Sequence, residues 1–393
     1  MKYKLKELLT IHNGKDYRQQ HKGIIPVYGT GGVMTHIDAY LYTGESILLP
    51  RKGSLSNIMY VNGPFWTVDT IYWTTVNTHL VNAKYLYYYL SLLDLSSRDT
   101  GSALPSMTYN SYYELDIDLP SLSVQQKVAQ SIDNIDQKIA INNTISKELE
   151  SMAKTIYDYW FLQFEFPDKD GKPYKSNGGR MVWNDQLKQK IPEGWKVDKC
   201  KKYIKIIRGV SYKPQDKKSE RDSNVLPLLK SNNVENGKIN FNTPVYLEKA
   251  LVSPEKLLKG NSVFITMSSG SKSALGKTAV IYDDLPYAFG AFCARVELSS
   301  KMQGYLSIIF RSSYFRNYIN QITSGTSINN IKNSQLEDLK IIIPNDTILQ
   351  KFEALIKSFF EEQAILQKED QQLKSLRDFL LPTLMNGQVT IKD

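Results

Sequence analysis

The chain of 393 residues carries 49 Lys+Arg against 40 Asp+Glu, a net charge of +9, with 41% hydrophobic and 23% charged residues. Such a composition supports two or three folded domains and excludes wholesale disorder. No apolar run reaches the roughly 18 residues that span a bilayer and no secretory leader pattern opens the chain, so membrane and secreted readings are not expected.

Cys200 and Cys293 are the only cysteines, which leaves no disulfide framework or cysteine zinc site; the histidines (His12, His21, His36, His79) all fall in the first 80 residues. The charge is local. Residues 1–52 hold 8 basic against 4 acidic side chains, residues 53–122 hold 2 against 6, and residues 201–277 hold 15 against 6.

In chain order, the strand-like runs Ser46–Leu49 and Asn57–Val61 flank the basic, glycine-bearing loop Pro50–Ser56 and predict a hairpin. Residues 84–98 predict a helix. A glycine-polar turn, Thr100-Gly101-Ser102, leads past Pro120, with Ser123 as a candidate cap, into a long helical pattern. There Val128, Ile132, Ile135, Ile139, Asn142, Ser146, Leu149, Ala153, Ile156 and Trp160 alternate at steps of four and three, the spacing of a coiled-coil seam. A helix over residues 124–161 would be about 57 Å long. Residues 164–194, with Gly178-Gly179 and mixed charge, predict a connector.

The second half repeats the plan. Val263–Thr266 and Thr278–Tyr282 flank Ser268–Lys277 as a second hairpin, and residues 302–320 predict a helix. Ser324-Gly325-Thr326-Ser327 and Asn329-Asn330 precede Pro344, the candidate cap Asp346 and a second seam: Phe352, Ile356, Phe359, Gln363, Leu366, Asp370, Leu373, Arg377, Leu380 and Leu384. Residues 100–128 and 324–352 align without a gap at an offset of 224, with six identities in 29 positions. Gly101, Leu115, Ile117, Pro120 and Gln126-Lys127 match Gly325, Leu339, Ile341, Pro344 and Gln350-Lys351.

A duplicated α+β chain is therefore expected. Its parts are a first head (1–122), a helix (123–163), a connector (164–194), a second head (195–346), a helix (347–386) and a tail (387–393). For the second helix to bury its seam on the first it must run back, giving an antiparallel coiled coil, with the heads held apart by a rigid spacer and the termini near each other. The alternative is two unrelated helices, each packed on its own domain.

Catalytic patterns fail on inspection. Gly270 and Gly276 enclose five residues where a phosphate loop needs four, and Thr278–Tyr282 predicts a strand where a helix should follow. Pro167-Asp168 with Asp170-Gly171-Lys172 predicts a charged turn rather than a nuclease set, because its two acids lack strands to converge them on a metal. No Gly-x-Ser-x-Gly elbow, paired-histidine metal motif, dinucleotide fingerprint or Asn-Pro-Pro-aromatic tetrad occurs.

What remains suits nucleic acid. The first half offers Lys15, Arg18, Lys22, Arg51, Lys52, Ser54 and Asn57 beside Tyr28 and Thr30. The second offers Arg208, Ser211, Lys213, Lys230, Ser231, Asn232, Asn233, Ser268, Ser269, Lys272, Ser273 and Lys277. Arg and Lys neutralise phosphates or grip guanine, Asn reads adenine, and Ser and Thr serve either role. Ser102, Thr326 and Asn329 join them from the glycine-polar turns, which serve equally as plain strand-entry turns.

Gln125–Phe166, Gly171–Tyr174, Met181–Asn184 and Ile191–Trp195 resemble the central conserved region of type I restriction–modification specificity subunits. The ending Leu376–Val389 resembles that family's C-terminal region. The resemblance implies two target-recognition domains, each reading one half of a bipartite DNA site, with the helical spacer setting the unread gap. It implies a non-catalytic cytoplasmic subunit holding no cofactor or metal. Two modification subunits would bring S-adenosylmethionine, and restriction subunits would bring ATP and Mg. On that reading Tyr157, Trp160, Phe161 and Phe164, with Phe379 and Leu384, are expected to contact modification subunits. Ile132, Ile135, Ile139, Leu149, Phe352, Ile356, Phe359, Leu366 and Leu373 are expected to form the seam. A methylation-only bipartite system, a coiled-coil scaffold and a phosphate enzyme using Gly270–Thr278 remain as rivals.

Overall fold

The computed structural model describes residues 1–95, 105–235, 237–324 and 330–389, and the chain divides into two compact units, Met1–Ile141 with Asp370–Asp393 and Asn142–Glu369. Unit one opens with β1 (Lys2–Lys4), the single turn α1 (Leu5–Leu8) and β2 (Leu9–Asn13). There follow β3 (Lys22–Gly29), β4 (Gly32–Ile37), β5 (Tyr42–Pro50), β6 (Met59–Thr67) and β7 (Ile71–Val76). Six of these strands form a sheet in the order β2-β7-β5-β6-β3-β4, with β3 and β6 parallel where Val27 meets Trp66 and Tyr28 meets Thr67. The expected hairpin is β5–β6, Leu48 opposite Met59. Strand β5 is buried from Ser46 to Pro50, where neighbours flank it.

Helix α2 (Ala83–Ser91) starts where Asn82 accepts the Tyr85 amide at 2.9 Å, and it buries Tyr85, Leu86, Tyr88 and Leu90. It is shorter than the sequence pattern, ending at Ser91. The short α3 (Tyr109–Tyr113) and β8 (Asp116–Asp118) follow, and β8 pairs with β1, Lys4 opposite Asp116. Leu5, Leu8, Ile47, Tyr85, Tyr112 and Ile117 form the core of this unit together with Ile132 of α4 (Leu122–Tyr157).

Segment 164–194 differs from the expected connector: it is a folded part of unit two. Helix α4 runs into a π-helical turn (Asp158–Leu162), and β9 (Met181–Asn184) and β10 (Gln189–Pro192) then form a hairpin. Phe166 stacks between Tyr174 (4.6 Å) and Trp195 (4.8 Å), and Phe164 and Ile191 are buried beside them. Polar and glycine content pointed to a loop, but burial of the aromatic residues between those positions drives the segment into the core. Asp168 closes the expected charged turn, accepting the Asp170 and Lys172 amides at 2.8 and 2.9 Å.

Unit two continues with β11 (Lys196–Lys199), β12 (Ile204–Arg208), β13 (Lys217–Lys218), β14 (Val225–Leu229), β15 (Val234–Glu235), β16 (Lys238–Ile239), β17 (Val245–Glu248) and β18 (Leu257–Leu258). Next come β19 (Ser262–Thr266), β20 (Thr278–Ile281), β21 (Leu285–Phe289) and β22 (Cys293–Leu298). They form a four-stranded sheet, β12-β22-β19-β20, and a five-stranded sheet, β13-β17-β14-β21-β18; β15 and β16 pair separately. The second expected hairpin is β19–β20, and a strand follows the Gly270–Lys277 loop where a phosphate loop would need a helix. Helices α5 (Gln303–Ile309) and α6 (Ser313–Thr323) replace the single expected helix. The short α7 (Asn333–Glu337) and β23 (Lys340–Ile343) lead into α8 (Asp346–Met385).

The long helices α4 and α8 have 36 and 40 residues. In unit two they run antiparallel: Asn142 donates to Glu369, and Ser146 to Gln363, both at 2.7 Å. In unit one Arg377 of α8 meets Asp136 of α4 at 3.1 Å. Every seam position named from the sequence, Ile135, Leu149, Phe359 and Leu373 included, is buried or half-buried. Gly387, at φ 68°, ends α8 in the left-handed conformation usual after a helix. Among the described residues no helix is long and apolar enough to cross a membrane.

The duplication is present in atomic detail. At the offset of 224, α3, β8 and α4 begin where α7, β23 and α8 begin. Nearer the start of each repeat the offset is 195: the Leu5 amide donates to Leu115 at 2.9 Å, and the Cys200 amide to Leu339 at 2.8 Å.

Candidate nucleic-acid interface

Four loops meet at one face of the unit-one sheet. They follow β2 (residues 14–18), β3 (29–31), β5 (51–58) and β6 (68–70), and backbone bonds fix them to one another. The Lys15 amide donates to Thr67 (2.8 Å), Val68 to Tyr28 (2.9 Å), and both Arg51 and Lys52 to the Thr70 carbonyl (2.9 and 3.2 Å). The Thr30 hydroxyl lies 2.8 Å from the Lys52 and Thr70 carbonyls, and the Asn57 amide donates to the Thr30 carbonyl. The chain ahead of α3 closes one side, with the Gly53 amide donating to Pro105 (2.8 Å) and Met107 to Arg51 (3.0 Å). The result is a cleft walled by Arg18, Thr30, Lys52, Asp69 and Thr70.

Unit two builds the same frame. The Val210 amide donates to Phe289 (2.7 Å), Gly290 to Leu229 (2.9 Å), and both Met267 and Ser268 to the Phe292 carbonyl (2.8 and 2.9 Å). Ile331 donates to Met267 (2.7 Å) as Met107 does to Arg51, and the bridge Ser268–Asn330 matches Lys52–Ser106. The corresponding loops are 209–213, 230–233, 267–277 and 290–292.

Most basic and hydroxyl residues named from the sequence lie on these two frames. Lys15, Lys52 and Ser54 are exposed and Tyr28, Thr30 and Arg51 are half-buried in unit one. Arg51 holds its guanidinium 5.9 Å from the Tyr72 ring centre. Arg18 is exposed but clamped on Asp16 at 2.6 Å, and that hydrogen bond holds the Asp16 carboxyl down to about 2. In unit two Lys213, Asn232 and Lys272 are exposed, while Lys230, Ser268, Ser269 and Lys277 are half-buried. Ser102, Thr326 and Asn329 lie outside the described residues.

Two residues are corrected. Arg208 turns inward, donating to Asn333 (2.9 Å) and the Ile331 carbonyl (2.6 Å), and burial lowers its pKa. Asn233 is buried, with its side chain accepting from the Lys230 amide and donating to the Asn240 and Asn242 carbonyls. Both brace the loops from beneath. Sequence reasoning also passed over loops 68–70 and 290–292, because Gly290-Ala-Phe-Cys293 looks like strand core and only the backbone bonds place it on this face.

The expected partner contacts are corrected in the same way. Phe161 packs 4.7 Å from both Tyr305 and Phe352, Tyr157 and Phe164 are buried in the same core, and half-buried Trp160 leans on Phe352. Leu384 is buried in the core of unit one, whereas Phe379 is 66% exposed. The exposed large apolar residues of α4 in unit two are Ile145 and Met152, seven apart, and Tyr159 and Leu162 are exposed on the π-helical turn that follows. Among the described residues, no group of three or more His, Cys, Asp or Glu could hold a metal.

The family model for the type I restriction modification DNA specificity domain matches residues 1–151 and 192–375. The chain is 33% identical over 210 residues to the type I restriction enzyme EcoKI specificity subunit of Escherichia coli K12, covering 52% of this chain and 45% of that one. It is 26% identical over 359 residues to the MjaIX specificity subunit of Methanocaldococcus jannaschii, covering 90% and 79%. The chain thus spans less than half of the EcoKI subunit. The crystal structure of a type I restriction–modification S subunit from M. genitalium superposes with a TM-score of 0.58 at 14% identity, over 98% of this chain and 95% of that one, and so shares its fold. With the duplicated loop frames and paired long helices, the match over both repeats places this chain in the type I restriction modification DNA specificity domain family.

Proposed function

We propose that the protein is a DNA-binding specificity subunit of a type I restriction–modification complex, in which each loop frame reads one half of a bipartite site. The observation that carries this reading is the loop frame itself, built twice with the same backbone bonds and different side chains. Identical frames supply the same positioning contacts to phosphates, and unlike side chains supply different base contacts. Helices α4 and α8 act as a ruler for the unread gap. The chain performs no catalysis and holds no cofactor. Modification subunits supply S-adenosylmethionine and methylate the site, restriction subunits supply ATP-driven, Mg-dependent cleavage, and the complex works in the cytoplasm. Modification subunits dock on the exposed apolar residues Ile145, Met152 and Tyr159 of unit two and, separately, on Phe379 of unit one.

Methylome sequencing of a host that carries this chain with its modification subunit tests the reading. The expected result is one bipartite motif methylated in both halves, and replacing residues 201–340 by another head changes one half alone. A change in both halves, or no motif, sinks it. The double variant Met152→Glu with Phe379→Glu should lose co-purification with the modification subunit while keeping its fold.

A further inference from the structure

The carbonyls of Thr70 and Phe292 each accept two consecutive loop amides, from Arg51 and Lys52 in unit one and from Met267 and Ser268 in unit two. The donors are themselves equivalent, since their loops pair with Ser106–Met107 and Asn330–Ile331 at the offset of 224. Thr70 and Phe292 therefore occupy the same position of the two frames.

Phe292 is 66% exposed, while Cys293 beside it is buried. Its ring joins none of the apolar clusters of unit two. The turn that carries it is fixed on every side: Ala291 donates to Val210 (2.9 Å), Cys293 to Gly290 (2.8 Å), and the Phe292 carbonyl is held twice. A rigid turn, its carbonyl held by the Met267 and Ser268 amides, thus presents a large exposed apolar ring outside the apolar clusters of unit two.

Resting on the DNA-binding function proposed above, we infer that Phe292 is a specificity-determining residue that contacts the C5-methyl group of a thymine in the major groove. That methyl is the apolar feature of a base edge, and Phe and Thr are among the side chains that meet it. An aromatic side chain could also wedge between base steps from the minor groove. The equivalence with Thr70 decides against this, because the same backbone position of unit one carries a threonine, which cannot act as a wedge.

The test takes the full chain, purified as the complex it forms in its host, through selection from a random-sequence duplex library. Phe292→Ala and Phe292→Leu are selected in parallel; the residue is exposed, so both should fold. The wild type should enrich two half-sites, and Phe292→Ala should lose preference at one thymine of one half-site while every other position is kept. Phe292→Leu should keep part of it. Replacing that thymine by deoxyuridine, which lacks only the methyl group, should weaken the wild type about fourfold, the factor for burying one such group. The same replacement should leave Phe292→Ala unchanged. An unchanged motif in Phe292→Ala overturns the assignment and leaves DNA reading intact. So does a loss of affinity at all sequences with no response to deoxyuridine, the signature of a wedge. If the wild type selects no motif, DNA reading itself fails and the assignment falls with it.

Discussion

Gly14 and Gly209 stand at the same place in the two repeats, where the chain leaves β2 or β12 and crosses the end of the parallel strand pair. A Cβ on Gly14 would lie 2.0 Å from the Val68 carbonyl oxygen, and one on Gly209 would lie 2.2 Å from that of Phe289. The obstacle is backbone in both cases, so no side-chain rotation relieves it. Gly14→Ala and Gly209→Ala should each destabilise their own unit by more than about 3 kcal/mol. Urea unfolding followed at each unit would show it, and a destabilisation below about 1 kcal/mol would mean the frame relaxes freely. Neither glycine stood out in the sequence, since close approach of two backbones leaves no periodic trace. Arg208 and Asn233 have the chemistry of DNA contacts, but only the direction of their side chains reveals them as braces.

Long, repeated elements were visible because seam spacing and hairpin patterns are local signals. The two hairpins fall where the sequence placed them, and the seam positions of α4 and α8 are buried or half-buried, with Ile132, Phe352 and Ile356 packed in the cores of their own units. The offset of 195 near the start of each repeat was not visible, because the 29 extra residues that raise it to 224 defeat a gapless comparison. In segment 164–194 the glycines and charged residues of the turns mask the burial of Phe164, Phe166 and Ile191, which makes it part of the unit-two core. One contact between elements has a pH consequence. Glu353 of α8 accepts the Gly304 and Tyr305 amides at the start of α5, at 2.9 and 2.8 Å, and burial raises its carboxyl above the ordinary 4.5. A raised carboxyl favours the protonated folded state, so its contribution is complete below 4.5 and is lost as pH rises through the folded value. Relative to Glu353→Gln, the wild type should therefore lose stability between pH 4.5 and neutrality. Denaturant midpoints for both proteins across that range would show converging or crossing curves, and parallel curves would exclude the linkage.

Across the whole chain, positive charge is concentrated in the second repeat, and the structure separates the lysines that pair from those that do not. Lys199, Lys202, Lys205, Lys218 and Lys259 sit in ion pairs with Asp338, Asp198, Glu297, Glu248 and Asp284. Among the described residues, Lys213, Lys230, Lys272 and Lys277 on the unit-two loops have no ion-pair partner. In unit one, Arg18 is neutralised by Asp16, which leaves Lys15, Arg51 and Lys52 on the frame. Each neutralised phosphate contributes about 0.9 to the slope of log affinity against log salt concentration. Converting Lys213, Lys230 and Lys272 to Gln should accordingly flatten the slope more than converting Lys15 and Lys52, and by about 0.9 for each phosphate left without its cation. Arg18→Gln should change it least, because the Asp16 carboxylate already offsets that charge. Titrations of a duplex carrying the methylated motif, from about 50 to 300 mM salt, would measure all three. Equal slopes for the two lysine sets would place the salt-dependent affinity elsewhere, and a large effect of Arg18→Gln would mean that DNA displaces Asp16 from its guanidinium.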